Sequence, residues 1–239
     1  ALATFDKLDD AGRAVSRIMY SGIIPSALEI LGRHTILAIN QDTDLNLPEV
    51  DAMLLVETDG YTQEETNYQI QKVVDVFVEN NAQEIKQAKT EQEAVELWAA
   101  RKSAYGVLAR IRTHFVLEDV TVPMGNIADL LKGIEAIAEA HNLQIATYGH
   151  AGDGNLHPQI LYDGYDPDEV ERVEAASADL FRLAIDLEGT LTGEHGIGLS
   201  KAPFMTLEHD PVAMEVMQAI KKTFDPNNIL NPGKMALEK

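Results

Sequence analysis

Two Gly-rich segments carry the residues best suited to chemistry. The first runs Tyr148-Gly-His-Ala-Gly-Asp-Gly-Asn-Leu-His-Pro-Gln159 and contains His150 and His157. Asp153-Gly154 is a preferred pair for a two-residue type I′ hairpin turn. A hairpin closed on that pair sets His150 directly opposite His157, with Cβ atoms about 4.5–5.5 Å apart. Tyr148 and Gln159 then form the next rung of the same face. Two imidazoles at that separation can share a divalent ion at ~2.0–2.1 Å from each nitrogen. Two partly buried histidines also meet by chance in a hairpin, and a bulge would break the register.

The second segment is Thr190-Leu-Thr-Gly-Glu-His-Gly-Ile-Gly198. It holds no basic residue besides His195 and matches neither a Rossmann nor a P-loop pattern. One reading is a tight turn with an exposed acid and base. The other makes Glu194 a third ligand in a His₂Glu set with open positions, leaving His195 as a base beside the ion. Arg101 is the third signal. It falls seven residues after Ala94 and seven before Leu108, inside an apolar helical stripe that includes Leu97, Trp98, Ala104 and Tyr105. A guanidinium aimed inward needs an anion, either a protein carboxylate in a structural ion pair or the carboxylate of a substrate, unless its stem snorkels to the surface.

The elements that must position these groups are legible in part. Capping boxes at Thr62 and Thr90 open helices, the first carrying Ile70, Val73, Val74, Phe77 and Val78 at helical spacing and the second running to about Arg110. Asn126 reads as the cap of a third helix, and Asp166-Pro167 as the start of a fourth running to about Glu188. Further helices are predicted near 9–21 and 211–223. Strand-like runs lie at 2–5, 52–58, 84–88, 114–122, 144–150 and 155–162. Strands alternating with helices, plus a hairpin, predict an α/β or α+β fold with a partly antiparallel sheet. The tail from Lys222 to Lys234 is dense in turn formers and reads as a C-terminal wrap.

Composition narrows the function. The 239 residues are 45% hydrophobic, enough for a core, and carry 39 acidic against 19 basic side chains, a net charge of −20. Such a surface repels nucleic-acid and anionic membrane surfaces. No cysteine is present, so thiolate chemistry and disulfides are excluded, and a reducing, cytoplasmic setting is expected. The chain opens at Ala1 as if in mid-fold, which suggests an excised domain. A stand-alone metal-dependent hydrolase and a non-catalytic metal-binding or subunit-interaction domain remain alternatives at this point.

Three motifs in order, YGHAGDGNLHP, GEHGIG and FDPNNILNPGK, together with the opening ALATFDKLDDAGRAVSRIMYSGIIPSALEIL, resemble the C-terminal domain of FAD-linked oxidases of the vanillyl-alcohol oxidase superfamily. The closest members are the glycolate oxidase catalytic subunit and the D-lactate and D-2-hydroxyglutarate dehydrogenases. The resemblance covers nearly the whole chain, taken as one domain over residues 1–239, and implies an α+β domain with a large, mostly antiparallel, ferredoxin-like sheet covered by helices. It implies FAD held mainly by an N-terminal FAD-binding domain absent from this chain, and a divalent metal, Zn²⁺ by preference. It implies a small 2-hydroxy acid substrate, an electron-acceptor subunit, and a homo-oligomer. By resemblance, His150, His157 and Glu194 are metal ligands, His195 the catalytic base, Arg101 and Gln159 substrate binders, and Asn231 and Lys234 neighbours of the flavin. Relatives usually carry Val-Pro-Arg-Ser where this chain has Val122-Pro123-Met124-Gly125, so a commonly basic position is lost. On its own the fragment is expected to be inactive.

Overall fold

Side-chain caps fix where the long helices begin. The Thr62 hydroxyl accepts from the Glu65 amide at 3.1 Å and Thr90 from Glu93 at 3.2 Å, opening helices α3 (Gln63–Glu79) and α4 (Glu91–Ile111). Each reciprocal carboxylate reaches the amide one residue before the cap, Tyr61 at 3.0 Å and Lys89 at 2.6 Å. Asp166 accepts from Asp168 at 3.0 Å and starts α6 (Pro167–Asp186). Asn126 makes no such bond. It ends a 3₁₀ turn, and its Nδ2 donates to the Leu187 carbonyl at 2.9 Å, tying the start of α5 (Ile127–Ala140) to the end of α6.

A computed structural model describes residues 1–237 of the chain. The remaining elements are β1 (Leu2–Phe5), α1 (Leu8–Tyr20), β2 (Ala27–Gly32), α2 (Arg33–Asp42), β3 (Ala52–Glu57), β4 (Ile85–Lys86), β5 (His114–Leu117), β6 (Val120–Thr121), β7 (Gln144–His150), β8 (Asn155–Tyr162), α7 (Met205–Glu208) and α8 (Pro211–Phe224). Among the described residues the strands form one eight-stranded sheet in the order β4-β1-β3-β2-β7-β8-β5, with β6 also on β8, and every pair is antiparallel.

The sheet is two ferredoxin-like units joined edge to edge. The first runs β1-α1-β2-β3-α3-β4, with α2 inserted between β2 and β3, and orders its strands β4-β1-β3-β2. The second runs β6-α5-β7-β8-α6 and returns to a bridge between Thr190 and Thr121, giving the order Thr190-β6-β8-β7. The outer strands β2 and β7 pair along the seam. The α+β class and the antiparallel, helix-covered sheet are therefore as the sequence predicted.

One face buries Phe5, Ile30, Leu54, Phe77, Ile134, Leu156 and Phe181 among the residues of its core. Helices α1, α3, α5 and α6 pack together along the chain on that side. The other face buries Leu31, Met53, Leu55, Ala146, Tyr148 and Leu161 beneath Ile36, Ile39, Ala104 and Leu108 of α2 and α4. Beyond Tyr148 this second face turns polar, and there the chemistry gathers. The segment 27–42, for which sequence patterns gave no element, forms β2 and α2. No helix among the described residues is long and apolar enough to cross a membrane.

Candidate active site

The β7–β8 hairpin does not close as the sequence suggests. Its register pairs His150 with Asn155, Tyr148 with His157, and Ala146 with Gln159. His150 is thus not directly opposite His157, nor Tyr148 opposite Gln159. The turn spans four residues, Ala151 to Gly154, closed by bonds from the Asp153 amide to the His150 carbonyl (3.1 Å) and from the Gly154 amide to Ala151 (3.3 Å). Tertiary contacts set this wider loop. The Gly152 amide donates to Leu28 of β2 at 3.1 Å, and the Val122 amide donates to the Gly154 carbonyl at 3.0 Å. Gly154 sits at φ 74°, and a Cβ there would lie 2.0 Å from the Val122 carbonyl oxygen. Because the register moves by two, facing is preserved. Tyr148, His150, His157 and Gln159 share one face, and the His150 and His157 rings are diagonal neighbours with centroids 5.3 Å apart.

The Gly193–Gly198 loop lies across that face. Glu194 Oε1 stands 3.1 Å from His157 Nε2, 3.6 Å from His150 Nε2 and 3.7 Å from His195 Nε2. Ligands ~2.0–2.1 Å from a tetrahedral ion are ~3.3–3.4 Å from one another, so Glu194 stands from each imidazole at about the spacing of two ligands on one divalent ion. Among the described residues, the set whose ligand atoms all lie within 4.8 Å of one another is Asp119, His157, Glu194 and His195, which shares His157 and Glu194 with the ligands expected from the sequence but does not include His150. The His157 and His195 rings stack at 5.0 Å.

Asp119 organises this loop, and sequence reasoning assigned it no role. Its Oδ2 accepts from the Thr192 hydroxyl (2.6 Å) and from the amides of Gly193 (2.9 Å), Glu194 (3.0 Å) and His195 (2.9 Å). Burial favours the neutral acid, but these hydrogen bonds outweigh it and hold the carboxyl down at about 2. Buried Lys201 anchors the same corner, donating to the carbonyls of Asp119 (2.9 Å) and Leu191 (2.7 Å). The Asp119 Oδ1 and His157 Nδ1 atoms are both buried without a hydrogen-bond partner, 3.8 Å apart. Burial, reinforced by His150 and opposed by Asp119, lowers the His157 pKa to about 4. Its imidazole is therefore neutral near pH 7, as a metal ligand must be.

Arg101 reaches the site from α4. Its Nε donates to Glu29 Oε2 at 2.6 Å, and its guanidinium lies over the Tyr148 ring, 5.0 Å from the centroid. Neither Nη has a hydrogen-bond partner among the described residues. Glu29, a residue the sequence reading missed, thus pairs Arg101 through one nitrogen only. Its other oxygen, Oε1, meets His150 Nδ1 at 2.6 Å. Gln159 is fully buried, with Oε1 accepting from the Tyr148 hydroxyl at 3.5 Å and Nε2 lacking an acceptor. Asn231 and Lys234 lie in the C-terminal wrap. That stretch is tied to the loop by a bond from the Met235 amide to the Gly198 carbonyl at 2.9 Å.

Exposure grades across the site. The side chain of His157 is 4% exposed, Arg101 16%, His150 32%, His195 38% and Glu194 51%. The result is a shelf with a buried floor and an open rim. A recess of about 940 Å³ between Arg33, His34, Glu135 and Glu169 includes none of these residues.

Comparison with known proteins agrees with this architecture. Residues 1–235 match the family described as FAD linked oxidases, C-terminal domain. The chain is 43% identical over 235 residues to glycolate oxidase subunit GlcD of Bacillus subtilis, covering 98% of this chain and 50% of that protein. It is 33% identical over 239 residues to the mitochondrial D-lactate dehydrogenase [cytochrome] of Arabidopsis thaliana, covering 98% of this chain and 41% of the relative. The chain spans about half the length of the curated relatives it matches. Among solved structures, p-cresol methylhydroxylase with substrate bound shares the fold, with TM-score 0.70, 17% identity, and coverage of 98% of this chain and 51% of the other. The chain belongs to the family of FAD linked oxidases, C-terminal domain.

Proposed function

We propose that this chain is the substrate-binding and cap half of an FAD-dependent 2-hydroxyacid dehydrogenase of the glycolate or D-lactate type, converting a 2-hydroxy acid to a 2-oxo acid. The observation that carries the reading is the convergence of three imidazole Nε2 atoms on Glu194 Oε1 on the face that also carries the unpaired Nη groups of Arg101. A cation site beside an anion-binding fork suits a small ligand with a carboxylate and an adjacent hydroxyl.

Each residue has a task in this reading. His150, His157 and Glu194 hold the ion. When bound, Zn²⁺ supplies Lewis acidity that lowers the hydroxyl pKa, and FAD supplies the hydride acceptor. The Arg101 Nη groups take the substrate carboxylate as a fork and fix its orientation. Gln159 Nε2, a buried donor without an acceptor, offers a hydrogen bond to a substrate oxygen. His195, the more exposed imidazole stacked on His157, receives the hydroxyl proton at Nε2. Asn231 and Lys234 face the flavin. That cofactor is held mainly by a partner domain, because no dinucleotide-binding Gly-rich pattern occurs in this chain.

The test is steady-state oxidation of glycolate and D-lactate by the complete protein with an artificial electron acceptor. His195→Ala and Arg101→Met should each lose at least about 100-fold in kcat/KM, removal of a proton acceptor alone costing about 10²–10⁴. Equal turnover by wild type and both variants would refute the assignment.

A further inference from the structure

The seam between the two halves runs through the site. Along it, β2 pairs with β7 so that Glu29 faces His150. Glu29 is 5% exposed, and each of its oxygens has a separate donor. Oε1 stands 2.6 Å from His150 Nδ1, and Oε2 accepts from Arg101 Nε at 2.6 Å. One buried carboxylate from the first half therefore joins an imidazole of the second half to a guanidinium carried on α4.

We propose that Glu29 is a positioning residue that couples the cation site to the anion-binding fork. Accepting from Nδ1–H fixes His150 in the tautomer whose Nε2 lone pair faces Glu194, 3.6 Å away. Accepting from Nε holds Arg101 over Tyr148 and leaves its two Nη groups unpaired for a ligand. The inference rests on the roles given above to His150 and Arg101. It adds that neither residue keeps its working geometry unless a single side chain offers two acceptors. Only a carboxylate does so. An amide of the same shape carries one acceptor and one donor, so it satisfies His150 or Arg101 but not both. The site also needs no net charge from this arrangement, since Glu29 and Arg101 offset each other.

The coupling predicts a specific non-additivity. Four forms of the 239-residue chain are compared: wild type, Glu29→Gln, Arg101→Met, and the double variant. Side-chain ¹⁵N–¹H spectra read the His150 tautomer without metal, and competition with a chelating indicator reads Zn²⁺ affinity. Wild type should hold His150 as the Nδ1–H tautomer. Glu29→Gln should mix the tautomers and weaken Zn²⁺ binding 10–100-fold. With Arg101 already replaced, the carbonyl of the introduced amide is free for His150, so the same change should cost no more than about threefold. An unchanged tautomer and affinity in Glu29→Gln, or the same loss in both backgrounds, overturns the proposal. Should Glu29→Gln fail to fold, the comparison moves to the Arg101→Met background, where no buried charge is stranded. There Glu29→Met should lose the tautomer bias and 10–100-fold in affinity, while Glu29→Gln keeps both, and equal behaviour of the two overturns the proposal. A wild-type chain that takes up no Zn²⁺ refutes the metal reading instead, and the tautomer spectra still decide the role of Glu29.

Discussion

Replacing Asp119 with Asn keeps the shape of the side chain and deletes its charge. Four donors converge on Oδ2, three of them backbone amides of the loop that carries Glu194 and His195. The carboxyl titrates at about 2 in the fold, against ~3.9 in an unfolded chain. Each pKa unit is worth about 1.4 kcal/mol, so the ionised form contributes about 2–3 kcal/mol of stability near neutral pH. The sign follows from the depressed folded value. The contribution is complete above the unfolded pKa near 4 and disappears as pH falls through about 2. Asp119→Asn should therefore unfold at lower urea, with a gap of about 2–3 kcal/mol that is constant from about pH 8 to 5 and narrows only between about pH 4 and 2. Urea melts of wild type and variant, run with a chelator so that metal does not contribute, measure it directly. A gap below about 0.5 kcal/mol at pH 7, or one that narrows between pH 7 and 6, would refute the view that Asp119 holds the loop as a charged acceptor.

Three further outcomes follow from the same geometry. Arg101→Met leaves Glu29 with His150 as its remaining donor, so stability should fall by about 1–3 kcal/mol, the cost of an unsatisfied buried acceptor, while turnover by the complete protein falls far more. Thermal melts and steady-state kinetics on one preparation separate the two effects. Gly154→Ala forces a Cβ into the Val122 carbonyl at a positive φ, and should destabilise by more than the ~1–2 kcal/mol of the left-handed conformation alone, read from urea melts. The chain expressed by itself should purify colourless and take up no FAD tightly, which absorbance and equilibrium dialysis check.

Much of this was visible in the sequence because the signals are local. The capping boxes at Thr62 and Thr90 mark their helices, and a hairpin turn centred on Asp153-Gly154 already puts both histidines on one face. The chemistry-bearing motifs needed no tertiary information to stand out. The hairpin register was not local: Asp153-Gly154 favours a two-residue turn, but hydrogen bonds to Leu28 and Val122 hold a four-residue one. The strand β2 went unread because Glu29 interrupts its apolar run, and that same buried glutamate turns out to join the site's two halves. Asp119 escaped for a similar reason. Its importance lies in backbone amides more than 70 residues away in the chain, and residue type alone does not announce such a partner.

The most direct test of the account is the visible spectrum of the Co²⁺-loaded chain titrated with D-lactate. If His150, His157 and Glu194 hold the ion beside Arg101, the chain should bind one Co²⁺ with the intense absorption of a low-coordinate site. D-lactate should change that spectrum saturably while propionate, which lacks the hydroxyl, does not, and His157→Ala should abolish the signal. A chain that binds no Co²⁺, or one whose spectrum is indifferent to D-lactate and survives His157→Ala, would contradict it.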